Sequence, residues 1–110
     1  MSTHYKRIWF KPDMIKWILE GKKTTTFRSR RHEGLYEIDL GSRFKPKPSG
    51  IRLRLTPMST WEREQVISYC FDTEGDFNTD FAFAEWLEIN KLELPDCGWL
   101  HKIEVLERGI

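Results

Sequence analysis

The chain has 110 residues, of which 39% are hydrophobic and 15 are aromatic, a composition typical of one domain with a buried core rather than of a disordered segment. Its formal net charge is +1, and no apolar run approaches the roughly 20 residues that a membrane span needs. No signal-peptide pattern follows the first residues, so we expect a cytoplasmic protein, a single domain over residues 1–110, with no membrane partner.

The first elements follow the order strand, helix, strand. Residues 5–10 alternate like a short strand, and Pro12 is favoured in the first turn of a helix. Apolar residues at helical spacing continue to Leu19, and Gly21 is a suitable C-cap. The β-branched segment 24–28 then predicts a strand. Its two faces are predicted to carry Thr24, Thr26 and Arg28 on one side and Thr25 and Phe27 on the other.

Further strands are predicted in the middle of the chain. Residues 36–40 form a short strand candidate, and apolar residues alternate with arginines over residues 51–55. Pro57 interrupts this second strand, so we expect its continuation to be bulged or to lie at a sheet edge. Residues 66–71 predict another strand, with alternate side chains on one face.

The last part of the chain predicts a helix and a final strand. Thr79 is a suitable N-cap, and Phe81, Ala84 and Leu87 are predicted to lie on the buried side of the helix. Residues 99–106 predict the last strand. Because helices and strands do not alternate regularly, we expect an α+β fold: a small, mostly antiparallel sheet or β-barrel with two flanking helices.

The cysteines and histidines indicate no metal or redox site. Cys70 and Cys97 have no C-x-x-C partner, so we expect two buried, reduced thiols. His4, His32 and His101 complete no metal-ligand spacing, and no metal or cofactor is predicted. His101, on an apolar strand face, is predicted to be a hydrogen-bonded core residue.

The small net charge hides an uneven distribution along the chain. Residues 1–60 carry 14 Lys and Arg against 5 Asp and Glu, a balance of +9, whereas residues 61–110 carry 4 against 12, a balance of −8. Concentrated positive charge favours a phosphate-binding surface. The alternative is that the acidic half folds back on the basic half and neutralises it. The basic groups are Lys22, Lys23, Arg28, Arg30 and Arg31, then Arg43, Lys45, Lys47, Arg52 and Arg54.

Two segments carry a resemblance to a known family. The segment IKWILEGKKTTTFR, residues 15–28, resembles the opening of ASCH domains, small barrels related to the PUA domain of RNA-modification proteins. The segment DTEGDFNTDFAFAEW, residues 72–86, is similar to the acidic turn and helix before the last strand of that family. The resemblance implies a PUA-like fold and a ligand cleft beside the Gly21-Lys22-Lys23 turn, with RNA or a nucleotide as the ligand.

The same resemblance implies a second, enzymatic function. Some bacterial members of the family are amidohydrolases that remove the acetyl group from acetylcytidine, with a proposed catalytic set of a Lys, a Thr three residues later and a distant Glu. These positions match Lys23, Thr26 and Glu74. Glu64 and Asp76 are the alternatives for the carboxylate.

The proposed chemistry sets two physical conditions. In a straight strand Lys23 and Thr26 point to opposite faces, so they converge only if the chain bends after Gly21. Lys23 accepts a proton from a hydroxyl only when it is neutral, which requires a lowered pKa. Burial and nearby cations lower the pKa of a lysine, whereas a close Glu74 carboxylate raises it.

Two hypotheses therefore remain open. The first is a module that binds RNA, or a nucleoside or nucleotide, in a basic cleft, and the second is an amidohydrolase that acts on an N-acylated cytidine. We rank binding first because it requires less of the geometry, and the oligomeric state stays open. The residues assigned to the basic cleft are Lys22, Arg28, Arg30 and Arg52.

Overall fold

The computed structural model describes residues 5–41 and 44–109 and shows an α+β fold with a five-stranded mixed sheet and four helices. His4 and Arg43 lie outside the described residues. The strands are ordered β1-β3-β4-β5-β2, with β1 and β3 parallel and the other neighbours antiparallel. Their bounds are β1 Lys6–Ile8, β2 Thr25–Arg28, β3 Gly34–Asp39, β4 Pro48–Glu62 and β5 Cys97–Arg108.

The sheet confirms the predicted predominance of antiparallel pairing. In the part of the chain that the structure describes, β1 and β2 form the two edges and the sheet is not closed, so the predicted barrel is not confirmed. The helices number four in that part rather than the predicted two. Their bounds are α1 Pro12–Leu19, α2 Arg63–Tyr69, α3 Phe71–Glu74 and α4 Asp80–Ile89.

The end of α1 turns the chain towards β2. Gly21 has a positive φ of 78°, and its N–H donates to the Ile18 carbonyl at 3.2 Å. The Lys22 N–H donates to the Trp17 carbonyl at 2.8 Å, which completes a Schellman-type helix end. The Lys23 N–H reaches the same carbonyl at 3.0 Å. The predicted C-cap is confirmed, and the bend that it makes lies directly before Lys23.

The long strand β4 behaves as its proline predicts. The register against β5 shifts between Pro57 and Ser59, which confirms a bulge. The pairing of β3 with β4 runs from Pro48 to Leu55, and within the described residues β4 is paired with β5 alone beyond that point. The second half of β4 is therefore an edge, where a residue without an N–H is tolerated.

The strand predicted over residues 66–71 is wrong, because this segment is helical. The Gln65 side chain accepts a hydrogen bond from the Glu62 N–H at 3.0 Å at the start of α2. Val66 and Cys70 are buried, whereas Tyr69 is 73% exposed. Burial four residues apart is the helical period, and it outweighs the β-propensity of the alternating apolar side chains.

The second predicted helix, α4, starts where expected and buries Leu87 as predicted, but Phe83 rather than Phe81 lies in the core. The Thr79 hydroxyl accepts from the Ala82 N–H at 3.0 Å, which confirms the cap. Phe81 was expected in the core and is 74% exposed, whereas Phe83 and Leu87 are buried. Burial of residues four apart fixes this face, and Phe81 lies off it.

Two apolar clusters form the core. The first joins α1 to strands β1, β3, β4 and β5, with Ile38 and Leu53 fully buried at its centre. The second joins Phe27 of β2 and Leu100 of β5 to the helices α2 and α4. Cys70 is buried in this second cluster, but Cys97 is exposed, so the expectation of two buried thiols is wrong for Cys97.

Among the described residues, none of the helices combines the length and the apolar character that a transmembrane segment requires.

Candidate functional site

A buried ion pair lies where the α1–β2 turn meets α3. Lys23 and Glu74 are 2% and 3% exposed. The Lys23 ammonium donates to the main-chain carbonyl of Glu74 at 3.0 Å, and its Nζ lies 3.7 Å from Glu74 Oε2. The pair joins residues 51 positions apart in the sequence. Buried charges are tolerated only when they are paired, so this contact determines the local arrangement of both elements.

Threonine hydroxyls complete the surroundings of the Glu74 carboxylate. Thr25 Oγ1 donates to Glu74 Oε2 at 2.6 Å, and the Thr25 and Thr73 hydroxyl oxygens lie 2.9 Å apart. Both contacts to the carboxylate use Oε2.

Main-chain contacts hold α3 against the start of β2. The Thr24 N–H donates to the Thr73 carbonyl at 2.8 Å. After Glu74 the chain passes through Gly75, where an added Cβ would lie 2.6 Å from Phe77 Cε2 and 2.9 Å from Trp17 Cε3. A glycine is therefore required at this position by close packing against two aromatic rings.

Thr26 and Arg28 share the opposite face of β2, as the alternation predicts. Arg28 Nε donates to Thr26 Oγ1 at 3.2 Å, and Arg28 Nη2 donates to the Trp9 carbonyl at 3.0 Å. The guanidinium lies 4.8 Å from the centroid of the Phe10 ring, a cation–π distance. Arg28 therefore connects Thr26 to the chain that leads from β1 into α1.

One cavity brings the predicted catalytic residues together. Its volume is about 180 Å³, and it is mostly apolar with a few polar groups, as ligand pockets usually are. Lys23, Thr26 and Glu74 are all among the residues that line it. The other residues around it are Trp9, Phe10, Lys11, Met14, Phe27, Arg28, Leu87, Leu92, Glu93, Leu94 and Pro95.

The loop between α4 and β5 forms one wall of this cavity, and Arg63 anchors it. The guanidinium donates to the Glu93 carboxylate and to the Leu94 carbonyl, both at 3.1 Å, and to the Asp96 carboxylate. The Arg63 N–H also donates to the Asp96 carbonyl at 3.0 Å. Four contacts from one residue give this wall a defined position over the cavity.

Burial shifts the pKa of the lysine in this site. It lowers the pKa of Lys23 from 10.5, an effect that the Glu74 carboxylate opposes and the Arg28 cation reinforces. Because of the lowered pKa, the neutral form of Lys23 is more populated at a given pH than that of a lysine in water. Buried lysines with such shifts are candidates for proton transfer.

His101 confirms the prediction of a hydrogen-bonded core histidine. It is completely buried, its Nε2 accepts from the His32 N–H at 2.8 Å, and its Nδ1 lies 3.2 Å from the Thr26 carbonyl oxygen. Because Nε2 accepts and the carbonyl needs a donor, the ring is neutral with its proton on Nδ1. Burial lowers the pKa of His101. The ring thus supports the main chain of Thr26 from the side of β5.

The residues predicted for a basic cleft do not line one cavity. Lys22 is exposed and lies 3.2 Å from the Asp76 carboxylate, and Arg52 contacts Glu37 and Glu107. Arg30 is exposed, and of the four residues only Arg28 lines the cavity among the described residues. The alternatives for the carboxylate, Glu64 and Asp76, are exposed.

Sequence reasoning missed several residues of the site. Thr25 contacts the carboxylate, and its signal was present, because Lys23 and Thr25 are two positions apart and share a face. Phe10 and the wall anchored by Arg63 carried no local signal, since only the tertiary fold brings them to the cavity.

Within the described part of the chain, no group of three His, Cys, Asp or Glu residues is arranged to hold a metal ion. Comparisons with family models, with curated proteins and with solved structures found no significant match. The resemblance to ASCH domains therefore stays a prediction from the sequence.

Proposed function

We propose that the chain is an ASCH-type domain of the PUA-like class that hydrolyses the amide bond of an N-acylated cytidine in the cavity. The observation that carries this proposal is the buried Lys23–Glu74 pair at the wall of a cavity that Thr26 also lines. A cleft that holds a buried lysine of shifted pKa beside a carboxylate and a hydroxyl is a candidate for a catalytic site. The family resemblance names the same three residues.

The size of the cavity supports a small ligand. Pockets for drug-sized molecules run from about 300 to 1,000 Å³, so the 180 Å³ here matches a single acylated base better than a length of RNA. The aromatic side chains of Trp9 and Phe10 offer a flat, apolar surface for a pyrimidine ring. We therefore place the base and its acyl group in this cavity.

The proposed reaction uses Thr26 as nucleophile and Lys23 as base. Neutral Lys23 takes the hydroxyl proton while Thr26 Oγ1 bonds to the acyl carbon, and the carbonyl π electrons move onto oxygen. The Arg28 guanidinium, already within 3.2 Å of Thr26 Oγ1, is placed to stabilise this oxyanion. The C–N bond then breaks, Lys23 returns the proton to the leaving amine, and water hydrolyses the acyl-threonine.

Glu74 has a different role in this proposal. A lysine that accepts a proton becomes a buried ammonium, which costs free energy unless a carboxylate lies near it. Glu74 Oε2, 3.7 Å from Lys23 Nζ, stabilises that ammonium, and Thr25 holds the carboxylate in place. Burial and Glu74 act on the same pKa of Lys23, and burial, the larger of the two effects, lowers it.

Binding of RNA through a basic cleft, ranked first from the sequence, has less support. Lys22 and Arg52 are engaged by carboxylates from other parts of the chain. Three of the four residues assigned to that cleft also lie outside the cavity lining. The described basic groups favour mutual neutralisation with the acidic half over a continuous phosphate-binding surface.

The test is turnover of N4-acetylcytidine by the purified chain, followed as release of cytidine across a range of pH. We expect kcat/KM to rise with pH towards the pKa of Lys23, because the base must be neutral, with the inflection below the ordinary lysine value of 10.5. Lys23→Arg keeps the charge but cannot act as a base, and should lose about 10²–10⁴-fold in rate. Lys22→Arg, one position away and exposed, is the matched control. Absence of turnover with acylated cytidines would overturn the proposal.

A further inference from the structure

His101 is a buried polar residue to which the proposed reaction gives no role. Its side chain is completely buried, on the same face of β5 as Ile103 of the first apolar cluster. A buried polar group costs free energy unless it is hydrogen-bonded, and an apolar side chain would avoid that cost. In the register between β2 and β5, His101 lies directly opposite Thr26. A polar ring at this position therefore indicates a requirement other than packing.

Two hydrogen bonds fix the ring of His101 and the position of its proton. The His32 N–H donates to Nε2 at 2.8 Å. Nδ1 lies 3.2 Å from the Thr26 carbonyl oxygen, which can only accept, so Nδ1 carries the proton. Burial lowers the pKa of His101, which keeps the ring neutral at neutral pH. The ring thus accepts from the loop between β2 and β3 and donates to the main chain of Thr26.

The loop that holds the acceptor side of this ring is itself anchored to the sheet. His32 Nδ1 lies 3.3 Å from the hydroxyl oxygen of Tyr36, and the two rings meet edge to face with centroids 5.7 Å apart. Tyr36 belongs to β3 and is buried. The centroids of the His32 and His101 rings are 5.5 Å apart. Polar contacts therefore connect Tyr36 through His32 and His101 to Thr26, from β3 to β2.

Thr26 lies on a strand that has little support of its own. The strand β2 has four residues, and β5 is its one neighbour in the sheet among the described residues. Arg28 Nε donates to the Thr26 hydroxyl at 3.2 Å, and the His101 ring binds the Thr26 carbonyl. These two contacts hold the side chain and the main chain of Thr26 at once. They restrict the place of its hydroxyl in the cavity that Thr26 lines.

We propose that His101 is a positioning residue for the Thr26 hydroxyl, acting through the hydrogen bond from its Nδ1 to the Thr26 carbonyl. This inference rests on the proposed function for the role of Thr26 as the nucleophile. Among the described residues, His101 is not part of the cavity lining. Its removal therefore slows the chemical step and leaves substrate binding unchanged. A reacting group displaced by about 1 Å can lose about 100-fold in rate.

Two substitutions of similar shape separate the two hydrogen bonds of the ring. In His101→Asn the amide nitrogen takes the place of Nδ1 and can donate to the Thr26 carbonyl, whereas the bond from the His32 N–H is lost. In His101→Gln the amide oxygen takes the place of Nε2 and accepts from the His32 N–H, whereas the bond to Thr26 is lost. Each variant keeps one bond and removes the other, so each is the matched control for its counterpart.

The experiment measures kcat and KM for N4-acetylcytidine in both variants, together with the free energy of unfolding from chemical denaturation. We expect kcat to fall about 10- to 100-fold in His101→Gln with KM within about twofold, and to fall less than about threefold in His101→Asn. Ile103→Val, two positions along β5 and outside the cavity lining, should lower the stability without changing kcat. Equal kcat in the two histidine variants, or a kcat that follows stability across all three variants, would overturn the proposal.

Further measurements separate this inference from the proposed function. If the unmodified chain turns over no acylated cytidine, the hydrolytic proposal fails, and NMR couplings that report χ1 of Thr26 decide the positioning role. One χ1 rotamer in the unmodified chain and in His101→Asn, with averaging in His101→Gln, would support that role, and the same χ1 in all three would overturn it. If either variant does not fold, the imidazole nitrogen shifts of the unmodified chain decide. A proton on Nδ1 of His101 supports the proposed bond, and a proton on Nε2 overturns it.

Discussion

At the scale of single residues, the buried Lys23–Glu74 ion pair is unusual in a small domain, because removing two charges from water costs free energy. Each side chain is almost fully buried, and two buried charges contribute less to stability than apolar side chains of the same volume would. Removing one partner, however, leaves the other charge without compensation. A pair with these properties is expected where function rather than stability determines the residues.

This view predicts strongly non-additive effects on stability. Lys23→Met and Glu74→Gln should each lower the free energy of unfolding, Lys23→Met by about 3–5 kcal/mol because it leaves a buried carboxylate unpaired. The double variant should lose less than the sum of the two single variants. Chemical denaturation measures all three, with Lys22→Met at an exposed, matched position as control. Additive losses would contradict a direct coupling between the two charges.

A second prediction at this scale concerns pH and His101. Burial lowers the pKa of His101 in the folded chain, and His32 is shifted in the same direction. Between the lowered pKa and the ordinary value of about 6.5 the unfolded chain binds more protons, so the free energy of unfolding falls as the pH drops below about 6.5. Above that pH both states are neutral at these histidines and the effect vanishes. His101→Gln should therefore show a shallower fall between pH 7 and 5, and an identical slope would contradict the assignment.

At the scale of elements, the site depends on the contact between the start of β2 and α3. The helix is only four residues long, so its position comes from tertiary contacts rather than from its own stability. Gly75 allows the chain after Glu74 to pass close to Trp17 and Phe77. The position of the Glu74 carboxylate therefore depends on how this short segment packs against the second apolar cluster.

Gly75→Ala tests that dependence. The added methyl would lie 2.6 Å from Phe77 Cε2, so the aromatic rings or α3 must shift. We expect a loss of about 1–3 kcal/mol in the free energy of unfolding, as overpacking usually costs, together with reduced turnover because Glu74 moves. Asn78→Ala, exposed on the same segment, should stay within about 0.5 kcal/mol. An unchanged melting temperature and rate in Gly75→Ala would show that the segment adjusts freely.

The elements also show what local sequence patterns can determine. Strong signals with one physical meaning were sufficient: Pro12 and Gly21 at the ends of α1, Thr79 before α4, and the proline bulge in β4. The strand prediction for residues 66–71 was wrong because its apolar side chains fit both the strand period and the helix period. Burial against β2 and α4 favours the helix. The predicted buried face of α4 was wrong at Phe81 because the helix carries two apolar stripes. Only the tertiary fold determines that Phe83 rather than Phe81 is buried.

The candidate site was predictable to a similar degree. The residues around the Gly21 turn could be named, because a helix end followed by a strand is a local feature, and the resemblance supplied Glu74. The partners from the α4–β5 loop, and Phe10 from the segment between β1 and α1, could not be named, since their approach depends on the order of strands in the sheet. The roles of Lys23, Thr26 and Glu74 remain proposals.

At the scale of the whole molecule, the basic and acidic halves meet. Arg52 contacts Glu107, Arg54 contacts Glu104, and Lys22 contacts Asp76, each pair joining one half to the other. Exposed pairs of this kind add little stability. They do place negative charge beside the cations that would otherwise attract a phosphate backbone.

The charge arrangement predicts weak binding to nucleic acid. Single-stranded RNA should bind only non-specifically, with a Kd of about 10⁻⁴–10⁻⁶ M in physiological salt. Turnover of the neutral substrate acetylcytidine should change little between low and high salt, because its recognition involves no phosphate. Titration of labelled RNA at increasing salt measures the first expectation. A Kd for RNA well below about 1 μM that rises steeply with salt concentration would instead support the RNA-binding hypothesis.

The central claim is that the hydroxyl of Thr26 is the reacting group in the cavity, and one pair of variants tests it most directly. Thr26→Ala removes that hydroxyl, whereas Thr24→Ala removes an exposed one two positions earlier. We predict that kcat/KM for N4-acetylcytidine falls at least about 100-fold in Thr26→Ala and stays within about twofold in Thr24→Ala. Equal turnover by the two variants would contradict the account.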